Sequence, residues 1–135
     1  MTAYFGRRYA LSASHRLHTA ALSSEGNKAV YGKCSNPNGH GHNYVVEVLV
    51  SGAVDPETGM VVHLTELDEV VHAQVIDRFD HTNLNLDPLF LNRVPTTENL
   101  SKVIYALLKG ALPTGELVHV RVEETENNFF ECSGE

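Results

Sequence analysis

The chain has 135 residues, with 10 Lys+Arg against 17 Asp+Glu and a formal net charge of −7. That length suits one domain of ordinary size, and 42% hydrophobic with 20% charged residues are globular values that argue against wholesale disorder. The acidic balance excludes a protein that binds nucleic acid or an anionic membrane non-specifically through its whole surface.

Residues Tyr4 to Ser14 read as a strand. Phe5, Tyr9, Leu11 and Ala13 share one parity, Arg7 interrupts it, and His15 continues it. Residues 19–41 are rich in Ser, Gly, Asn and Lys and predict a long loop, with Asn36-Pro37-Asn38-Gly39 as a turn signal. Loops of that length in compact domains are usually functional. Asn43 to Val50 predict a second strand, apolar on both parities except for Glu47, as expected when both faces are covered. Ser51 to Gly59 predict a turn around Asp55-Pro56.

A helix is expected from Thr65, with Asp68 completing an approximate capping box and Leu67, Val70, Val71, Val75 and Phe79 on one stripe. A second opens near Thr96-Thr97-Glu98 with Leu100, Val103, Ile104, Leu107, Leu108 and Leu112 as its stripe, and Pro113 ends it. Strands Leu117–Glu124 and Phe129–Cys132 follow. The order ββααββ predicts an α+β domain: a four-stranded antiparallel sheet with both helices on one face. Its other face would lie bare and its outer strands would be open edges, so the domain is expected to oligomerise.

Two cysteines, Cys34 and Cys132, are too few for a disulfide scaffold. The first residues lack a signal-peptide core, and no apolar run reaches the roughly 18–20 residues of a membrane span. The expected setting is a reducing cytoplasm.

The segment Cys34-Ser35-Asn36-Pro37-Asn38-Gly39-His40-Gly41-His42 carries most of the chemistry. His40 and His42 are two apart, so in extended chain both imidazoles project from one face. Two neutral imidazoles at that spacing form one side of a zinc site, and His15, ending the first strand, is the best candidate for a third ligand. Three histidines with an open fourth position describe a catalytic rather than a structural site. A lone His-x-His pair is a weak signal and also occurs by chance in polar loops. Cys34 has two readings: a fourth ligand, or a thiolate activated near a cation as base or nucleophile. The sequence leaves both open.

Asp80-His81 after the first helix joins a carboxylate to an imidazole, a pairing suited to acid–base chemistry, or else to a charged helix end. Glu123-Glu124 at the end of the third strand puts one carboxylate on each face. A pocket carboxylate can grip an N–C–NH2 edge through two parallel hydrogen bonds.

Together and in this order, Ser12-Ala13-Ser14-His15-Arg16-Leu17, Cys34-x5-His40-Gly41-His42-Asn43-Tyr44, Phe79-Asp80-His81-x-Asn83-Leu84, Thr96-Thr97-Glu98-Asn99 and Glu124-Thr125-Glu126-Asn127-Asn128 resemble the 6-pyruvoyl-tetrahydropterin synthase family. The resemblance spans nearly the whole chain and implies a single tunnelling-fold domain over residues 1–135, a ββααββ unit that assembles into a barrel within a hexamer. It implies a lyase of tetrahydrobiopterin biosynthesis that converts 7,8-dihydroneopterin triphosphate to 6-pyruvoyl-tetrahydropterin and triphosphate. By the same resemblance, zinc falls to His15, His40 and His42, and the general base to Cys34, assisted by His81 and Asp80. Glu124 grips the pterin, and Thr96 and Thr97 line its pocket. Glu123 and His18 are small departures from the family pattern that touch none of these positions.

Two other functions fit the same residues. A 6-carboxy-tetrahydropterin synthase of the queuosine/deazapurine pathway shares the scaffold and substrate, but its family commonly shows Cys-x3-His-Gly-His, against Cys-x5-His-Gly-His here. A non-catalytic zinc-stabilised assembly module would use Cys34 as a fourth ligand. The charge is also split: residues 1–42 carry +4 from Arg7, Arg8, Arg16, Lys28 and Lys33 against Glu25, and residues 43–135 carry −11. The basic third is expected to steer a small anionic substrate, with Arg16, Lys28 and Lys33 as its cations.

Overall fold

The computed structural model describes residues 1–134. Strand β1 runs over Thr2–His15 and β2 over His40–Ala53, antiparallel without a break from Thr2↔Ala53 to His15↔His40. Side chains alternate along both. Tyr9, Leu11, Ala13 and His15 of β1 and Tyr44, Val46, Val48 and Val50 of β2 are buried on one face. Arg7 lies on that face too, and is satisfied there by two hydrogen bonds from its guanidinium to Asp68.

The connection between these strands is not the featureless loop expected from its composition. Helix α1, Ser24–Tyr31, starts at Ser23, whose hydroxyl accepts from the Gly26 amide, and a 3-10 turn over Gly32–Ser35 follows. Asn27 is buried, and its side chain bonds the backbone of Thr19, Leu22 and Ser23. The helix is short and polar, with Gly26 and Asn27 in its middle, so it leaves little apolar period to read.

Helix α2, Leu64–Val71, continues through a π turn over His72–Ile76 into the short α3, Asp77–Phe79. Leu67, Val71, Val75 and Phe79 are all fully buried. Steps of four residues drift by ~40° each on an ideal α-helix, and the wider π turn takes up that drift so that all four face the sheet. The expected capping box at Thr65 does not form. His63 precedes the helix without a side-chain cap, and Asp68 is committed to Arg7 and Tyr9 instead.

A two-residue strand β3, Thr82–Asn83, then pairs parallel with Ala13 and Ser14 of β1. Helix α4, Thr97–Lys109, is capped by Thr96, whose hydroxyl accepts from the Asn99 amide, and it ends at Gly110, before Pro113. Strands β4, Glu116–Glu123, and β5, Phe129–Ser133, complete the sheet. It is five-stranded and mixed, in the order β3-β1-β2-β4-β5, which corrects the expectation of four antiparallel strands. Two residues carry no period, so β3 cannot be read from composition. Leu67, Val75, Leu100, Ile104 and Leu108 from the helices meet Val120 and Val122 of β4 and the buried face of β1 and β2 in one core. Val45, Glu47 and Leu49 on the other face of β2 are only half-buried, so within one chain this strand is covered on one side.

Candidate metal centre and active site

The three candidate metal ligands come together where β1 ends and β2 begins. Because His15 pairs with His40 and Ala13 with His42, all three imidazoles continue the core-facing parity of their strands beyond the last apolar layer. His15 Nε2 lies 3.2 Å from His40 Nε2, and one ring nitrogen from each of the three falls within 4.8 Å of the others. The turn before His40 makes this approach possible. Gly39 has φ 69°, and a Cβ there would stand 3.0 Å from the His15 carbonyl oxygen. Only glycine meets both demands.

Burial pushes the His15 and His42 pKa values down, so both rings are held neutral as metal ligation requires. His15 Nδ1 lies 2.8 Å from the Pro95 carbonyl. A carbonyl only accepts, so Nδ1 carries the proton and Nε2 presents its lone pair to the other histidines. Three converging imidazoles, with one tautomer fixed from behind, form a donor set that fits a zinc-like divalent ion.

Glu124 stands directly after β4 and reaches the same place. Its Oε1 is 3.0 Å from His42 Nε2, while Asn128 Nδ2 donates to Oε2 at 3.2 Å. Glu123 turns to the opposite face and pairs with Arg121, so the two adjacent carboxylates separate as the strand parity requires. Cys34, in the 3-10 turn, is half-buried as a free thiol. Burial and then the Glu124 charge push its pKa up, opposite to the activation expected from the sequence. A divalent cation at the histidines would supply the countercharge that lowers it.

Asp80 and His81 dock on the free edge of β1. Asp80 Oδ1 accepts from the Ser12 amide at 2.9 Å, and the His81 amide donates to the Ser12 carbonyl. His81 is the only non-glycine residue at positive φ, 59°, among the described residues. Its imidazole is 82% exposed and lies 3.0 Å from Asp80. Ser12 and this strained backbone thus present an ordered carboxylate–imidazole pair to an open cleft of about 410 Å3, which is also lined by His42. Within one chain His81 shares no hydrogen bond with Cys34 among the described residues. Thr96 is occupied as the cap of α4, and Thr97 is buried behind it.

One residue of this cluster was not singled out from the sequence. Tyr44 is fully buried, and its hydroxyl lies 3.3 Å from His15 Nδ1. Its position two residues after His42 places it on the same face, which is the signal that could have found it.

The arrangement is a trio of histidines that could hold a metal ion, with a carboxylate at hand. The family model for 6-pyruvoyl tetrahydropterin synthase matches residues 5–135, and the chain belongs to that family. It is 47% identical over 134 residues to the human protein named 6-pyruvoyl tetrahydrobiopterin synthase, covering 98% of this chain and 92% of that protein. It is also 38% identical over 115 residues to an Archaeoglobus fulgidus protein named putative 6-carboxy-5,6,7,8-tetrahydropterin synthase, covering 84% and 86% of the two chains. The solved structure of Caenorhabditis elegans 6-pyruvoyl tetrahydropterin synthase superposes with a TM-score of 0.94 at 40% identity, covering 100% of this chain and 97% of that one.

Proposed function

We propose that the chain is a zinc-dependent 6-pyruvoyl-tetrahydropterin synthase, a lyase that converts 7,8-dihydroneopterin triphosphate to 6-pyruvoyl-tetrahydropterin with release of triphosphate. The observation that carries this reading is the convergence of His15, His40 and His42 with Glu124 beside them. Zinc bound by the three histidines would supply Lewis acidity toward the side-chain hydroxyls of the substrate. Glu124, with Oε2 already oriented by Asn128, accepts from the amidine-like edge of the pterin. Thr96 and Thr97 border the pterin, and Cys34 as thiolate removes a carbon-bound proton. Asp80 orients His81, which carries protons on and off the side chain. The electrons released move into the pterin ring, so the redox change is internal and needs no external reductant.

Within one chain Cys34 shares no hydrogen bond with Asp80 or His81 among the described residues, which suits a site completed between subunits. We assign the molecule accordingly to a cytoplasmic hexamer of single tunnelling-fold domains whose sheets join into a barrel.

The test is to incubate zinc-loaded protein with dihydroneopterin triphosphate and identify the products by mass. The pyruvoyl product with triphosphate is expected. The similarity to the Archaeoglobus fulgidus protein sustains the carboxy reading as a second possibility, which acetaldehyde among the products would select. Unchanged substrate would point instead to a zinc-stabilised module. Cys34→Ala is expected to keep zinc and lose turnover, whereas His40→Ala loses both, as read by metal analysis beside the product assay. Loss of zinc from Cys34→Ala would make Cys34 a ligand.

A further inference from the structure

The three histidines of the centre are not held alike. Among the described residues His40 Nδ1 is buried without a hydrogen-bond partner, and His42 Nε2 lies 3.0 Å from Glu124 Oε1. Among the same residues His15 alone of the three is anchored from behind, by Pro95 O at 2.8 Å and by the Tyr44 hydroxyl at 3.3 Å from the same Nδ1. Tyr44 is 1% exposed, and its ring lies edge-on to His15 and tilted against His42, with centroids 6.3 and 5.5 Å away. With the Nδ1 proton directed at the Pro95 carbonyl, the phenol oxygen is placed to accept a share of the same proton.

Pro95 stands just before α4, so the segment that starts this helix touches His15 directly through its carbonyl, while Tyr44 reaches the same Nδ1 from β2. The ring is thus held from two separate elements.

We propose that Tyr44 is a positioning residue for the metal ligand His15, forming with the Pro95 carbonyl a bracket that fixes the plane and tautomer of its ring. This rests on reading the three histidines as a metal centre and is independent of the reaction catalysed there. Outer hydrogen bonds of this kind typically change metal affinity by ~10–100-fold.

The experiment uses the full chain, stripped of metal and reloaded. Zinc affinity is measured by competition with a chromophoric chelator, and ligand geometry by the visible spectrum of the cobalt-loaded protein. Tyr44→Phe, which preserves shape and removes only the hydroxyl, is expected to weaken zinc binding by ~10-fold and shift the cobalt bands. Wild-type affinity and spectrum in Tyr44→Phe would overturn the bracket. Failure of the wild-type chain to bind zinc would overturn the metal centre itself, and the product assay separately decides the synthase reading.

Discussion

At the scale of single residues, the legible part of the site is what strand parity controls. His40 and His42 share a face because they are two apart, and His15 joins them because β1 and β2 pair through to their ends. Glu123 and Glu124 part to opposite faces for the same reason. Parity also places Tyr44 on that face, but it says nothing of the Pro95 carbonyl behind His15 or of the effect of Glu124 on Cys34. Arg7 looked like a fault in an apolar stripe, and the structure shows why it is tolerated. Burial works to raise the Asp68 pKa, but hydrogen bonds from Tyr9 and then Arg7 outweigh it and hold the value below the usual carboxylate range. A carboxylate depressed on folding contributes stability above its unfolded value near pH ~4, and that contribution is lost as pH falls through the folded value. Asp68→Asn should therefore be less stable than the parent at neutral pH. It should also lose less stability between pH 5 and pH 2, as measured by urea unfolding across that range.

At the scale of elements, long periodic segments were readable and short ones were not. Most of β1, the centre of β2 and the stripe of α4 follow from the pattern of their apolar residues, whereas β2 extends past the expected Asn43–Val50 into the polar residues His40–His42 and Ser51–Ala53, and α1 and β3 are too short and polar to show a pattern. The Thr65 capping box failed because a pattern of residue types cannot reveal that Asp68 is needed elsewhere. Thr96 is the opposite case, since its hydroxyl does cap α4. Thr96→Ala should cost about 1 kcal/mol of unfolding free energy, seen as a lower urea midpoint without a change in slope.

At the scale of the whole molecule, a charged row crosses the sheet face away from the helices. Arg8, Glu47, Arg121 and Glu131 follow one another across β1, β2, β4 and β5 in register, with alternating charge. Such a face is poorly suited to burial against a second apolar sheet, so association is expected through the strand edges instead. Sedimentation should give an assembly of several chains; a stable monomer would remove both the barrel and a site shared between subunits. The charge split also has a location. Lys28 and Lys33 line one cavity of about 550 Å3 with Ser35 and Asn36, flanking Cys34 in sequence, and neither lysine has an ion-pair partner among the described residues. Replacing both by Gln should raise KM for a triphosphate-bearing substrate by about tenfold at low ionic strength and much less in high salt. Equal effects at both salt concentrations would argue against electrostatic steering.

The position of His15 and His40 at the two mouths of one connection has a mechanical consequence. The residues between them carry α1 and Cys34, and their ends meet where His15 and His40 stand 3.2 Å apart though 25 residues apart in sequence. An ion held by both sides is a crosslink that closes this loop, as a disulfide would, and it shrinks the freedom of the segment that carries the thiol. The sheet beyond is secured by its own ladder. Removing the metal should therefore speed amide exchange first in residues 19–35 and leave the centres of β1 and β2 protected. By this coupling, an ion at the histidines would also set how firmly Cys34, the proposed general base, is held.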